Sequence, residues 1–267
     1  MKLISFDGGF GRVTGEYVIP MGNDLVAYLG GEHAVETGPP QRLSELRLQA
    51  PIPRPEKIIG VGLNYRDHAV ESRQPIPDEP ILFAKHSNAI LSPGASIRIP
   101  LAARDMVDFE AELAVVIGRV GHRLSVANAL DYVAGYTCAN DVTSRDLQIA
   151  NGQWFRGKSA DTYLPLGPSL VTADEIPDPQ TLAVSCAVNG QVMQESNTAH
   201  MIFSVAQLLS FISQTVTLVP GDVICTGTPP GVGFARTPPR FLRAGDEVTI
   251  SIQGIGELTN SVADEEA

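Results

Sequence analysis

The chain has 267 residues, 43% of them hydrophobic and 18% charged, which suits one large globular domain, or one domain with a small appendage, and excludes a disordered chain. Its net charge of −11 argues against nucleic acid and anionic membrane as partners, and an anionic substrate would need a local cation. Three scattered cysteines, Cys138, Cys186 and Cys225, without a C-x-x-C pair, read as buried reduced thiols and point to a cytoplasmic protein.

Met1-Lys-Leu-Ile-Ser-Phe is broken by Asp7 and two glycines before a signal-type apolar region forms, and the chain holds no run of about 18 apolar residues. Residues 1–36 are short apolar patches cut by glycines, which predicts small antiparallel strands and turns. Residues 38–56 carry five prolines and must be extended. They are expected to bound a small N-terminal β domain, 1–55, ahead of a main domain, 56–267.

The main domain opens with a strand, Lys57-Ile-Ile-Gly-Val-Gly62. Gly60 and Gly62 begin a G-x-G, but position 65 is Tyr, so a dinucleotide fingerprint fails. One or two helical turns are expected over Leu63–Ser72. There His68 and Glu71 stand at i and i+3, close enough to hydrogen-bond. A carboxylate on one imidazole nitrogen raises the basicity of the other, so the pair is either a general-base dyad or a plain surface pair. Residues 75–80 form a proline-punctuated loop of the kind that can cover a site. Ile81–Phe83 and Ile97–Ile99 read as strands.

Val107-Asp-Phe-Glu-Ala-Glu-Leu-Ala-Val-Val-Ile-Gly118 is a buried strand from Ala111 on, with Glu110 and Glu112 at its entrance. Positions i and i+2 share a face, so the two acids project side by side next to a core. They are either a solvated edge pair or ligands of a hard divalent cation, Mg²⁺, Mn²⁺ or Ca²⁺. Ser125–Tyr132 is expected to be a short helix capped by Ser125. Val133–Ala139 is the next strand and delivers Asn140 and Asp141 at its end. Thr143-Ser-Arg-Asp146 resembles a capping box and starts a helix with Arg145 and Gln148 on one face. Residues 152–161 are expected to be a loop holding Arg156 and Lys158. Asn189-Gly190 marks a type I′ hairpin, and His200–Gln214 an amphipathic helix. Pro220–Gly233 is a strand entering a Gly/Pro loop that lacks the Gly-Lys-Ser/Thr of a phosphate loop. Gly245–Ile252 reads as the final strand, with a frayed tail over 263–267.

Five stretches in order resemble the fumarylacetoacetate hydrolase family, and within it the bacterial acylpyruvate or 2,4-diketo-acid hydrolases: Gly62-Leu-Asn-Tyr-Arg-Asp-His68; Asp108-Phe-Glu-Ala-Glu-Leu113; Asn140-Asp-Val-Thr-Ser-Arg-Asp146; Gly157-Lys-Ser-Ala-Asp161 with Pro165-Leu-Gly-Pro168; and Thr226-Gly-Thr-Pro-Pro-Gly-Val-Gly233. The resemblance covers about residues 57–257. It implies a mixed β-rich α+β fold, the family's β-roll, assembled as a homodimer. It implies that Glu110, Glu112 and Asp141 hold Mg²⁺ or Mn²⁺, and that His68, Glu71 and Lys158 are catalytic. Arg145, Gln148 and Thr228 would touch a small keto-acid substrate. A further upstream carboxylate ligand of the larger eukaryotic members has no secure counterpart. The implied reaction is hydrolysis of a C–C bond to pyruvate and a carboxylic acid, with His68 activating water. Lys158, Arg145 and Arg156 would help so acidic a chain accept an acid. The alternatives are an oxaloacetate-type decarboxylase, an enol–keto isomerase or a sugar-acid dehydratase. A non-catalytic binding module is disfavoured by the acids, the His–Glu pair and the lysine. A serine hydrolase lacks its G-x-S-x-G.

Overall fold

The computed structural model describes residues 1–150 and 152–266. Every residue of the strand Ala111–Ile117 is buried, because both of its faces are covered. It pairs antiparallel with Val133–Asn140 on one side, Ala111 opposite Asn140, and antiparallel with Val223–Cys225 on the other. Val223–Cys225 runs parallel to Ile58–Gly62, and Ile81–Lys85 forms that edge. In the other direction the sheet continues through Leu164–Thr172 to Lys2–Phe6, Gly9–Thr14 and Tyr17–Gly22. A second sheet orders Gln191–Asn197, Ala183–Val188, Glu247–Ile252, Gly256–Asp264 and Ile97–Ile99. It packs its Ala183–Val188 and Glu247–Ile252 strands against Ala111–Ile117 and Val133–Asn140. Helices are few and short. The fold is a mixed, β-rich α+β arrangement, and among the described residues no helix is long and apolar enough to cross a membrane.

The N-terminal strands add directly to the main sheet, with Lys2 opposite Val171 and Leu3 opposite Leu170. Leu3, Phe10, Leu25, Ala50 and Ile52 lie in the same buried cluster as Leu113 and Val115. The segment before residue 56 therefore shares both sheet and core with the main body of the chain.

Several local expectations are corrected. Ser125 does not cap a helix: its hydroxyl bonds Asn128 Oδ1, and a single 3₁₀ turn, Ala129–Tyr132, comes next. The capping box at Thr143 does not form. Thr143 pairs with Asp108 across a two-stranded ladder and donates its hydroxyl to Asp141 O, so the helix Arg145–Ile149 starts without a side-chain cap. Residues Phe155–Lys158 are a short helix, not a loop. The long helix starts at Val205, not His200, because Ser204 and Gln207 form a reciprocal capping box there. Its Val205, Leu208, Leu209 and Ile212 are buried, each stabilising by about 1.5–3 kcal/mol. Glu247–Ile252 is not the last strand; Gly256–Asp264 pairs with it and runs through Ala263 and Asp264, while Ala267 lies outside the described residues. The hairpin has its type I′ turn, with φ of +53° at Asn189 and +75° at Gly190. The three thiols are free and buried, and burial raises each, Cys138 to about 12.

Candidate metal centre and active-site cavity

The ends of two central strands bring the acids together. Glu110 N–H donates to Asn140 Oδ1 at 3.0 Å, and Asp141 N–H donates to Glu110 O at 2.9 Å. This reciprocal pair fixes where both side chains leave the sheet. Glu112 is held from the Thr226–Gly231 loop, where Gly227 N–H donates to its Oε2 at 2.9 Å. Gly227 has φ +96°, and a Cβ there would stand 2.7 Å from Asn64 Cβ, so only glycine lets that N–H approach. One oxygen from each of Glu110, Glu112 and Asp141 lies within 4.8 Å of the others, and all three residues are buried.

Cations surround two of these acids. Lys158 Nζ is 2.6 Å from Glu110 Oε2 and 2.6 Å from Asp141 Oδ2. Lys85 Nζ is 2.5 Å from Asp141 Oδ1. Arg145 bonds Asp108 Oδ2 at 2.8 Å through Nε and reaches Glu110 Oε1 at 2.7 Å through its terminal nitrogen. Burial alone would raise the Glu110 carboxyl, but the charges of Lys158 and Arg145 outweigh it and hold the group at about 2. Burial would lower the Lys158 ammonium, but Asp141 and Glu110 outweigh it and raise it. Lys85 goes the other way: burial wins over Asp141 and lowers it. Glu112 has no cation in ion-pair reach among the described residues. Burial, then the Asp141 and Glu110 charges, push it well above the carboxylate range.

The buried acids Asp108, Glu110, Glu112 and Asp141 thus outnumber the buried bases Lys85, Arg145 and Lys158 by one. Hard oxygen donors, close spacing and one uncompensated carboxylate fit a divalent cation. The metal's identity is not fixed by this donor set, since Mg²⁺ and Mn²⁺ both suit it.

The triad's Glu110 and Glu112 open into a cavity of about 610 Å³, whose lining does not include the fully buried Asp141. The helix Arg66–Glu71 contributes His68 and Glu71 to that lining. His68 Nδ1 is 3.1 Å from Glu71 Oε2, and Gly231 N–H donates to both Glu71 oxygens at 2.9 and 3.1 Å. The loop that holds Glu112 therefore also holds the carboxylate that orients His68. Arg145, Gln148, Lys158 and Thr228 line the same cavity. Arg145 Nη1 donates to Gln148 Oε1 at 3.1 Å. Thr228 is engaged on both sides: its hydroxyl donates to Ala111 O at 3.0 Å and accepts from Gln194 at 2.8 Å. Arg156 is exposed and outside the cavity, a correction to its expected role, because the short helix turns Gly157 and Lys158 inward instead.

Three residues escaped the sequence reading. Lys85 sits two places from the cavity-lining Phe83, so the strand's period placed it on the inner face. Asp108 begins the same i, i+2 series as Glu110 and Glu112. It is fully buried and accepts Gly233 N–H at 2.7 Å and Phe234 N–H at 3.1 Å besides Arg145. Gln194 gave no signal: it is a lone amide in a hairpin strand, buried only because Ala111 N–H, Thr228 and Pro229 O converge on it.

Comparison with known proteins fits this geometry. A sequence model of the family described as "Fumarylacetoacetate (FAA) hydrolase C-terminal" matches residues 57–263, and the chain belongs to that family. It is an enzyme family of hydrolases, isomerases and oxaloacetate tautomerases. Among curated proteins the chain is 51% identical over 221 residues to "Oxaloacetate tautomerase fahd2, mitochondrial" of Xenopus laevis, covering 82% of this chain and 69% of that one. Among solved structures, the fumarylacetoacetate hydrolase of Exiguobacterium antarcticum matches with TM-score 0.90 and 38% identity, over 99% of this chain and 100% of that one. The 2-hydroxyhepta-2,4-diene-1,7-dioate isomerase of Mycobacterium marinum matches with TM-score 0.85 and 38% identity, over 100% of this chain and 98% of that one. The cytoplasmic location expected from the cysteines is overturned: the frog relative and those of rat and cattle are named as mitochondrial. Free thiols report a reducing surrounding and do not say which compartment supplies it.

Proposed function

We propose that the chain is a cation-dependent enol–keto tautomerase acting on a small 2-oxo acid of the oxaloacetate type. The observation that carries this reading is the His68–Glu71 pair, 3.1 Å apart, opening on the same cavity as Glu110, Glu112 and Lys158. Tautomerisation moves one proton between C3 and the C2 oxygen. It needs a base at the carbon and positive charge at the oxygen, and both kinds of group line this cavity. The names of the frog, rat and bovine relatives support the same reaction.

Glu110, Glu112 and Asp141 would hold the divalent cation, which when bound supplies Lewis-acid polarisation of the 2-oxo acid. With Nδ1–H donated to Glu71, His68 Nε2 keeps the basic lone pair. It takes the C3 proton of the keto form or returns one to C3 of the enol. Glu71, fixed by Gly231 N–H, steadies the imidazolium formed in between. Lys158, kept cationic by Glu110 and Asp141, hydrogen-bonds the C2 oxygen as charge develops on it, and the proton that this oxygen gains or loses is exchanged with solvent water. Arg145 holds Glu110 in place from behind.

C–C hydrolysis, the first expectation from the sequence, uses the same base and the same enolate. The His–Glu pair therefore does not separate the two, and the relatives' names favour tautomerisation. The hydrolase named among the solved structures keeps hydrolysis as the second reading. The test follows the enol absorbance of freshly dissolved oxaloacetate with Mg²⁺ and with chelator. Decay accelerated only when protein and Mg²⁺ are both present is expected. Pyruvate and a carboxylic acid released from an acylpyruvate, with oxaloacetate ketonisation unchanged, would return the assignment to hydrolase. Pyruvate and CO₂ from oxaloacetate would make it a decarboxylase.

A further inference from the structure

Three cations other than histidine line the cavity: Arg73, Arg145 and Lys158. Arg145 is paired with Asp108 and Glu110, and Lys158 with Glu110 and Asp141. The Arg73 guanidinium has no partner among the described residues. Its position is set by the end of the helix that carries His68 and Glu71. Ser72 is the C-cap, and Gln74 N–H returns to Ala69 O at 3.0 Å, which puts Arg73 at the left-handed position with φ +54°. Glycine is the residue that helix ends favour there, so the arginine is not placed for the benefit of the backbone.

Beside Arg73 in the chain the lining has the polar Ser72 and Gln74; it also includes the apolar Ile81, Phe83, Ile149, Trp154 and Phe234. A carboxylate against those groups would lose its water and gain nothing. In a 2-oxo dicarboxylic acid, one carboxylate and the 2-oxo group belong at the triad, and the second carboxylate hangs from C3. C3 is the atom that His68 must reach, and Arg73 comes from the same helix end as His68. We propose that Arg73 is the subsite for that second carboxylate, which makes the site selective for 2-oxo dicarboxylic over monocarboxylic acids; this rests on the tautomerase reading. The guanidinium presents a planar fork that matches a carboxylate bidentately. In a chain of net charge −11 it is also the cation that lets a dianion approach.

The test compares kcat/KM for ketonisation of oxaloacetate and of its 4-methyl ester, with Mg²⁺, in the native protein, Arg73→Ala and Arg73→Lys. The native protein prefers the diacid. Arg73→Ala lowers that preference about ten-fold, the size of one charge-assisted hydrogen bond in a partly exposed setting, and the loss falls in KM for the diacid. Arg73→Lys recovers part of it. Alanine is as strained as arginine at φ +54°, so the comparison isolates the charge. An unchanged preference in Arg73→Ala overturns the subsite and leaves the tautomerase reading standing. If the native protein ketonises neither compound, the tautomerase reading fails, and binding decides the subsite. Calorimetric titration with 3,3-dimethyl-oxaloacetate, which has no C3 proton, and with its 4-methyl ester then applies. A diacid preference in the native protein that Arg73→Ala loses supports the subsite; no preference, or an equal one in both proteins, overturns it.

Discussion

Glu112 is buried beside Glu110 and Asp141, and burial followed by those two charges raises its carboxyl well above its ordinary 4.5. Without a cation the folded chain therefore binds a proton that the unfolded chain releases from about pH 4.5 upward. Protons bound are more numerous in the native state, so the cation-free protein loses stability as pH rises through that window. Glu110 has the opposite sign: held at about 2, it contributes stability above its unfolded value that is lost as pH falls towards 2. A divalent cation displaces the Glu112 proton, so Mg²⁺ affinity is expected to climb about ten-fold per pH unit below the raised value. Glu112→Gln is expected to flatten that slope and weaken Mg²⁺ binding, as read by calorimetric titration at several pH values; a slope that survives would place the displaced proton on another group. His68→Ala is expected to retain Mg²⁺ affinity while losing about 10²–10⁴ in rate, since it touches the base and not the acids. Loss of Mg²⁺ binding in that variant would contradict the separation of the base from the cation-holding acids.

The elements that carry these side chains meet at very short range. The helices Arg145–Ile149 and Phe155–Lys158 cross at Gly157, where a Cβ would lie 2.8 Å from both Ser144 O and Gln148 N. Those are backbone atoms and do not swing aside, so Gly157→Ala is expected to destabilise by about 1–3 kcal/mol. The same push moves Lys158 off Glu110 and Asp141, and thermal melting should show less stabilisation by Mg²⁺ than in the native protein. A variant with native melting and native Mg²⁺ response would mean that the crossing is softer than its distances indicate. Asp108 works at the same scale. Through Gly233 and Phe234 it ties one cavity wall to Arg145, and through Arg145 to Glu110.

For the whole molecule, the N-terminal segment is structural. Lys2–Phe6 covers the edge of Leu164–Thr172, and Leu3, Phe10, Leu25 and Ile52 fill the shared core. At about 1.5–3 kcal/mol each, those four side chains are comparable with the 5–15 kcal/mol that stabilises a typical domain. Residues 56–267 expressed alone are therefore expected to be insoluble or to melt without a cooperative transition; a soluble fragment with a sharp melt would show an independent domain. At the opposite edge Ile81 and Leu82 are 41% and 37% exposed on a strand whose outer side has no partner strand among the described residues. Such edges invite pairing. We expect the homodimer that family resemblance implies, and sedimentation equilibrium should give twice the chain's 28.5 kDa.

Features that repeat at short range were legible in the sequence without coordinates. Strand alternation placed Glu110 and Glu112 together, one helical turn placed Glu71 beside His68, and Asn189-Gly190 dictated its turn. The ordered motifs were legible as a family for the same reason: each is a local run. Contacts between distant segments settled the rest, and those exist only in the folded chain. Thr143 gave up its cap because Asp108 lay across from it, and Gln194 became buried only where three segments converge on it. The charge surplus left on Glu112 emerges only when Lys85, Arg145 and Lys158 are each seen to choose another acid. Electrostatic compensation is a property of distances in space, and sequence spacing records those only within a turn or along a strand.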